Sequence, residues 1–390
     1  MRDVKLLLVA VLLLSVAAFA QLPNTPQAPP ANPDQTSAPG QPAAASPAVA
    51  PVIKANPSVT RPQPDAPPQQ SAVPSPALPA NQVVRRIAMI DIAGEPGFNG
   101  IAFTGGFLVM SHSANNSVDV FNVRQRRLIK QIKDMEGAAG IAVDSKGETV
   151  YVANSNGDNI AAISTKDWQV LRTIKLEHSP NGLLLLPDQN VLYSASWRDQ
   201  TISLIDLLQA KVIGTAEVNG SPEHMAYDPG RRELYATLEA QNQVAVLDPS
   251  LKVLRRFKLA ASEPTGVVFD GKSNRLYVAV RYAVLALDPQ SGKELGRIAA
   301  PAGVDSLVLN PADGSLYAGS EGGTVQMIRV GGGQFAAEQE IATDVRGHDV
   351  AIDPQTHMIF MPGGREGRAK LLLLKRVDAG PPTLTETSAK

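Results

Sequence analysis

Cysteine is absent from all 390 residues. That excludes a thiolate nucleophile, an iron–sulfur cluster, covalent haem attachment through paired cysteines, a cysteine-built zinc site and a lipoprotein anchor. It also excludes disulfides, so an exported domain of this sequence must be held by its core. An excess of charge is missing too. The 36 Lys and Arg stand against 37 Asp and Glu, for a net charge of −1. Nothing here supplies the basic surface on which nucleic-acid affinity rests. The one long apolar run, Leu6 to Ala18, is too short to span a bilayer comfortably. No G-x-S-x-G elbow, Walker loop or paired His on a helix occurs, so no catalytic residue is read from a motif.

What is present is a period. Val109, Tyr151, Tyr193, Tyr235, Tyr277, Tyr317 and Phe360 follow one another at steps of 42, 42, 42, 42, 40 and 43 residues. A fixed period of this size marks units that cannot hide their apolar faces alone and must stack on neighbours. Within one unit, AGIAV from Ala139, TVYVA from Thr149, IAAIS from Ile160 and QVLRTIK from Gln169 are short strands separated by turn residues. Seven such meanders predict an all-β fold, a seven-bladed β-propeller of four-stranded antiparallel blades. The recurring Tyr sits among Val, Leu and Ala and is read as packing between blades, not as chemistry. The short step is assigned to the loop after Tyr277, two residues shorter than its counterparts.

The seventh unit, Val345 to Val377, offers only three strands. The missing one lies at the other end. Val84-Arg-Arg-Ile-Ala-Met-Ile90 matches the outer strand Val253-Leu-Arg-Arg-Phe-Lys-Leu259. The N-terminal strand is therefore predicted to close the last blade, leaving no open sheet edge at the junction.

The domain organisation follows. Arg2 and Lys5, the apolar run and Ala18-Phe-Ala20 make residues 1–20 a secretory signal peptide, cleaved after Ala20, with no transmembrane anchor left behind. Residues 21–82 hold 17 of the 31 prolines among Ala, Gln and Ser. Such a segment cannot bury enough to offset its ordering entropy and is read as a disordered, semi-stiff linker. Residues 83–378 are the propeller and 379–390 a polar, disordered tail. A periplasmic or secreted monomer is expected.

The stretch Val150-Tyr-Val-Ala-Asn154, with an Asp-containing turn further on, resembles the YVTN family of β-propeller repeats. Fainter copies begin at Leu192, Leu234, Leu276 and Leu316. The first unit departs most, with Leu108-Val-Met-Ser-His112 in that place. The resemblance covers about residues 84 to 377. It implies an exported propeller and leaves the activity open, since similar propellers serve as redox-enzyme subunits and as lactone hydrolases.

Candidate site residues are those on the loops of one face, around the channel mouth, where propellers usually meet ligands. Four of the five histidines map there: His112, His178, His224 and His348. They come from different blades, so the sequence alone does not make them converge. Imidazoles in such a ring could take a metal or an anion, or exchange protons near neutral pH. Trp197-Arg198 is an aromatic beside a guanidinium at a loop tip, the composition of a binding anchor or of a Trp packed on its own blade. Glu239, Arg281, Glu321 and Arg365 occupy equivalent loops. The leading function is a binding or scaffolding module for a protein, a cell-envelope glycan or a small polar ligand, with no cofactor. The alternatives are a lactonase-like or divalent-metal-dependent hydrolase and an accessory subunit of a periplasmic redox enzyme.

Overall fold

The computed structural model describes residues 82–186, 189–310, 312–330 and 333–378. The expected signal peptide (1–20), linker (21–82, except Gln82, which opens the first strand) and C-terminal tail (379–390) lie outside the described residues. Seven four-stranded antiparallel sheets form the blades. Blades 1 to 6 are consecutive meanders, their inner strands beginning at Ile101, Ala138, Leu183, Pro222, Val267 and Val304. In blade 7 the order runs from the inner Ala351–Asp353, through Met358–Arg365 and Arg368–Asp378, to Gln82–Asp91 on the outside. The N-terminal strand thus closes the ring, as the matching of Val84–Ile90 to an outer strand predicted.

The burial pattern explains the sequence pattern. Second strands such as Thr149–Asn154 and Arg275–Val280 are buried at all but their first residue, because neighbouring blades cover both faces. Strands covered on both faces read as continuous apolar runs. The outer strand Lys211–Glu217 alternates exposed and half-buried instead, the period-two signature of a sheet with one wet face. Seven apolar clusters fill the ring. Tyr235 packs with Phe257 of its own blade and with Val267 and Leu276 of the next, Tyr277 with Leu307 and Leu316, and Phe360 with Leu108 and Phe121 of blade 1. Two buried Tyr hydroxyls find a turn carbonyl on the next blade: Tyr193 Oη donates to Pro249 O at 2.8 Å and Tyr235 Oη to Pro289 O at 3.1 Å.

The seam is fastened beyond its sheet. The Gln339 amide in the outer strand of blade 6 grips Val84 twice, accepting from its N–H at 2.8 Å and donating to its carbonyl at 3.1 Å. Arg86 pairs with Asp344 at 3.0 Å and Asp91 with Lys370. The loops between second and third strands share one face of the ring. Most hold four residues and end in a left-handed residue: Asn116, Asp158, Gln200 and Asn242. In blade 5 the connection shrinks to Arg281-Tyr282, which accounts for the 40-residue step.

Candidate functional site at the channel mouth

Two backbone positions on every blade feed the channel. One stands at the channel end of the inner strand: Gly100, Gly140, Gly182, His224, Gly266, Ser306 and Asp349. The other precedes it: Asn99, Ala139, Asn181, Glu223, Thr265, Asp305 and His348. Glycine recurs at the first position because the blades touch there. A Cβ on Gly140 would lie 2.3 Å from Asn181 O, and one on Gly182 would lie 2.2 Å from Glu223 O. Each is the carbonyl of the preceding position on the next blade. Blades 4, 6 and 7 depart from glycine, and the ionisable groups gather on them.

The register explains how their side chains are aimed. The ladder between the first two strands of blade 4 shifts between Pro222 and Met225, and that of blade 6 between Val304 and Ser306. Glu223, His224 and Asp305 are thus residues of bulges, which re-aim side chains. His348 Nδ1 is paired with Asp305 Oδ2 and lies 3.9 Å from Asp349 Oδ2. The donor atoms of Asp305, Glu321 and His348 all lie within 4.8 Å of one another.

Electrostatics follow from burial and crowding. Burial alone would lower the pKa of His348. The bond to Asp305 and the charges of Asp349, Asp305 and Glu321 outweigh it and push it up to about 9. For Asp305, burial raises the carboxyl, but the His348 bond and charge, with the His224 charge, hold it below its usual range. Burial pushes Glu223 up to about 7, opposed by His224 and reinforced by Asp305 and Glu239. Asp349 is raised mainly by burial, against the His348 charge.

Above these groups opens a cavity of about 410 Å³. Glu223, Glu239, Glu263, Asp305, Glu321, Arg198, Arg281 and Trp197 line it. A narrower space of about 180 Å³, lined by His224, His348 and Asp349, shares Asn99, Asn181, Glu223 and Asp305 with it. On the rim, Trp197 is 43 % exposed and its Nε1 donates to Glu239 Oε2 on the next blade at 2.8 Å. Arg281 donates to Glu263 Oε1 at 2.5 Å and lies over the Tyr282 ring, 5.6 Å from its centroid.

Of the residues expected at the mouth, Trp197, Arg198, Glu239, Arg281 and Glu321 line the wide cavity, and His224 and His348 line the space beneath. His178 stands beside the mouth, its Nδ1 3.9 Å from Asp199 Oδ2. His112 is elsewhere: fully buried, stacked on Phe98, with Nδ1 2.7 Å from Asp119 Oδ2 and Nε2 2.6 Å from Glu95 O. It anchors the segment entering blade 1. Arg365 ends the long hairpin strand of blade 7, beside Glu366 and Met89, and lines neither space. Sequence reading missed Glu223, Glu263, Asp305 and Asp349. The repeat frame carried the signal for three of them: Glu223, Asp305 and Asp349 stand where other blades place Gly, Ala, Asn or Thr.

No family model matches the chain, and no curated protein does. Among solved structures it is similar to a chain of hydrazine synthase from Kuenenia stuttgartiensis, with 17 % identity and a TM-score of 0.63 over 72 % of this chain and 96 % of that one. At that identity the likeness shows the fold alone, a β-propeller.

Proposed function

We propose that this is an exported propeller of YVTN type that binds a small polar ligand at its channel mouth. The observation carrying this reading is the composition of the wide cavity: five carboxylates, two guanidiniums and one half-exposed indole around about 410 Å³. An indole held edge-on by Glu239 offers a flat face for a sugar ring or an aliphatic stem, while the carboxylates accept from hydroxyl or amino groups. Carboxylates outnumber guanidiniums, so the ligand class favoured is hydroxyl-rich and amino-bearing. Amino-sugar fragments of a cell envelope have that chemistry, and a secretory leader would deliver the chain to where they occur.

The chain contains two tryptophans, and Trp168 is buried against Phe107. Solvent-quenchable fluorescence therefore reports Trp197. Titration with amino-sugar oligomers is expected to protect Trp197 from acrylamide saturably, and Trp197→Ala to weaken binding measured by calorimetry by about tenfold or more. Unprotected Trp197 together with unchanged affinity in the variant would defeat the reading.

A second reading, a metal-dependent hydrolase, is favoured by the proximity of Asp305, Glu321 and His348. It predicts turnover of lactone or ester substrates that disappears with chelation. The accessory-subunit reading draws only on the fold likeness, which brings no residue with it.

A further inference from the structure

We propose that Asp305, Glu321 and His348 hold one first-row divalent cation, Zn²⁺ or Mn²⁺, at the floor of the mouth. The inference goes beyond ligand binding at the rim and stands without it.

The three donors reach one spot from two neighbouring blades. Asp305 is aimed by the bulge in the inner strand of blade 6, Glu321 follows the second strand of the same blade, and His348 precedes the inner strand of blade 7. Their ligand atoms lie within 4.8 Å of one another. Bonds of about 2.0–2.2 Å to a shared ion bring donors somewhat closer than that. Asp305 and His348 touch directly, closer than two ligands of one ion stand, so binding must part that pair and draw in the exposed Glu321.

A second observation points to the same place. The Asp349 carboxyl takes a backbone hydrogen bond from Gly100, but its Oδ2 is out of contact with solvent, has no hydrogen-bond partner among the described residues and lies 3.9 Å from His348 Nδ1. Buried polar atoms are nearly always satisfied, so a native orphan calls for a missing partner. One imidazole faces the carboxyl groups of Asp305, Glu321 and Asp349, and an ion that binds it displaces its proton. A dication beside them supplies the absent charge.

The donor set selects the ion. Carboxylates alone would suit Ca²⁺ or Mg²⁺, which take oxygen ligands. The imidazole nitrogen in the set suits Zn²⁺, and the two carboxylates beside it also admit Mn²⁺. Three protein donors leave coordination positions open. Those positions face the wide cavity, because Asp305 and Glu321 line it.

The test uses the full chain, stripped with a chelator and titrated calorimetrically with zinc, manganese, calcium and magnesium chlorides. One equivalent of Zn²⁺ or Mn²⁺ is expected to bind, with Ca²⁺ and Mg²⁺ far weaker. Glu321→Gln, at an exposed position that should not disturb folding, is expected to weaken binding about tenfold to a hundredfold, and His348→Gln likewise. Circular dichroism identifies any variant that fails to fold. Trp197→Ala should leave metal affinity unchanged, which separates this result from failure of the rim reading. Absence of saturable Zn²⁺ or Mn²⁺ binding, equal affinity for Ca²⁺, or binding unaffected by Glu321→Gln would each overturn the proposal.

Discussion

Blades 1, 2, 3 and 5 place glycine at the channel end of the inner strand; blades 4, 6 and 7 place His224, Ser306 and Asp349 there. The two groups have the same four strands and the same place in the ring, so the difference is not one of fold. On the glycine side the next blade's carbonyl approaches within 2.3 Å of where a Cβ would stand at Gly140, and backbone contact fills the space. On the other side, side chains enter the channel; the bulge itself does not separate the groups, since blade 2 carries one here as blades 4 and 6 do. Architecture thus comes from what the repeats share, and chemistry from where they part.

The largest test of this contrast acts on blade 7, which carries His348 and Asp349 and depends on the N-terminal strand. Deleting residues 83–91 removes the outer strand of that sheet and Val84 from its core cluster. Loss of a cooperative thermal transition is expected in calorimetry. A sharp transition at the full-length temperature would break the link between ring closure and the charged side.

Next in size is a side chain placed on the glycine side. Gly182→Val sets a branched side chain against Glu223 O, 2.2 Å from its first carbon, and backbone cannot yield as a side-chain end can. Urea unfolding should show a loss of about 3 kcal/mol or more, whereas Ser306→Gly should cost about 1 kcal/mol. Equal losses would erase the distinction between the two groups.

A smaller, pH-dependent effect belongs to Glu223. Its folded pKa, about 7, lies above the ordinary 4.5. Between those values the folded chain holds a proton that the unfolded chain releases, so stability falls as pH rises through this window. Glu223→Gln keeps an acceptor for Asn181 Nδ2 and removes the charge. It should match the parent near pH 4.5 and gain on the order of 2–3 kcal/mol by pH 8. A gain that does not vary with pH would point to packing instead.

Much of the fold could be read from spacing. The Tyr series fixed the number of blades, and the likeness of Val84–Ile90 to Val253–Leu259 located the closing strand, because every blade interface demands the same apolar residues. The site was harder for the same reason. Glu223 and Asp305 read as solvated loop residues unless the seven inner-strand starts are aligned and the exceptions to Gly, Ala, Asn and Thr noticed. His112 illustrates the opposite error. It ends its second strand, one place before the position that Glu321 holds after Ser320, and Phe98 and Glu95 fold over it.

The convergence of blades 6 and 7 on one spot is tested most directly by proton titration of the imidazoles by NMR in chelator-treated protein. With five histidines in the chain, each resonance can be assigned by substitution. The account predicts that His348 stays protonated to about pH 9 and that Asp305→Asn moves its midpoint down. A His348 midpoint near 6.5, unmoved by Asp305→Asn, would contradict it.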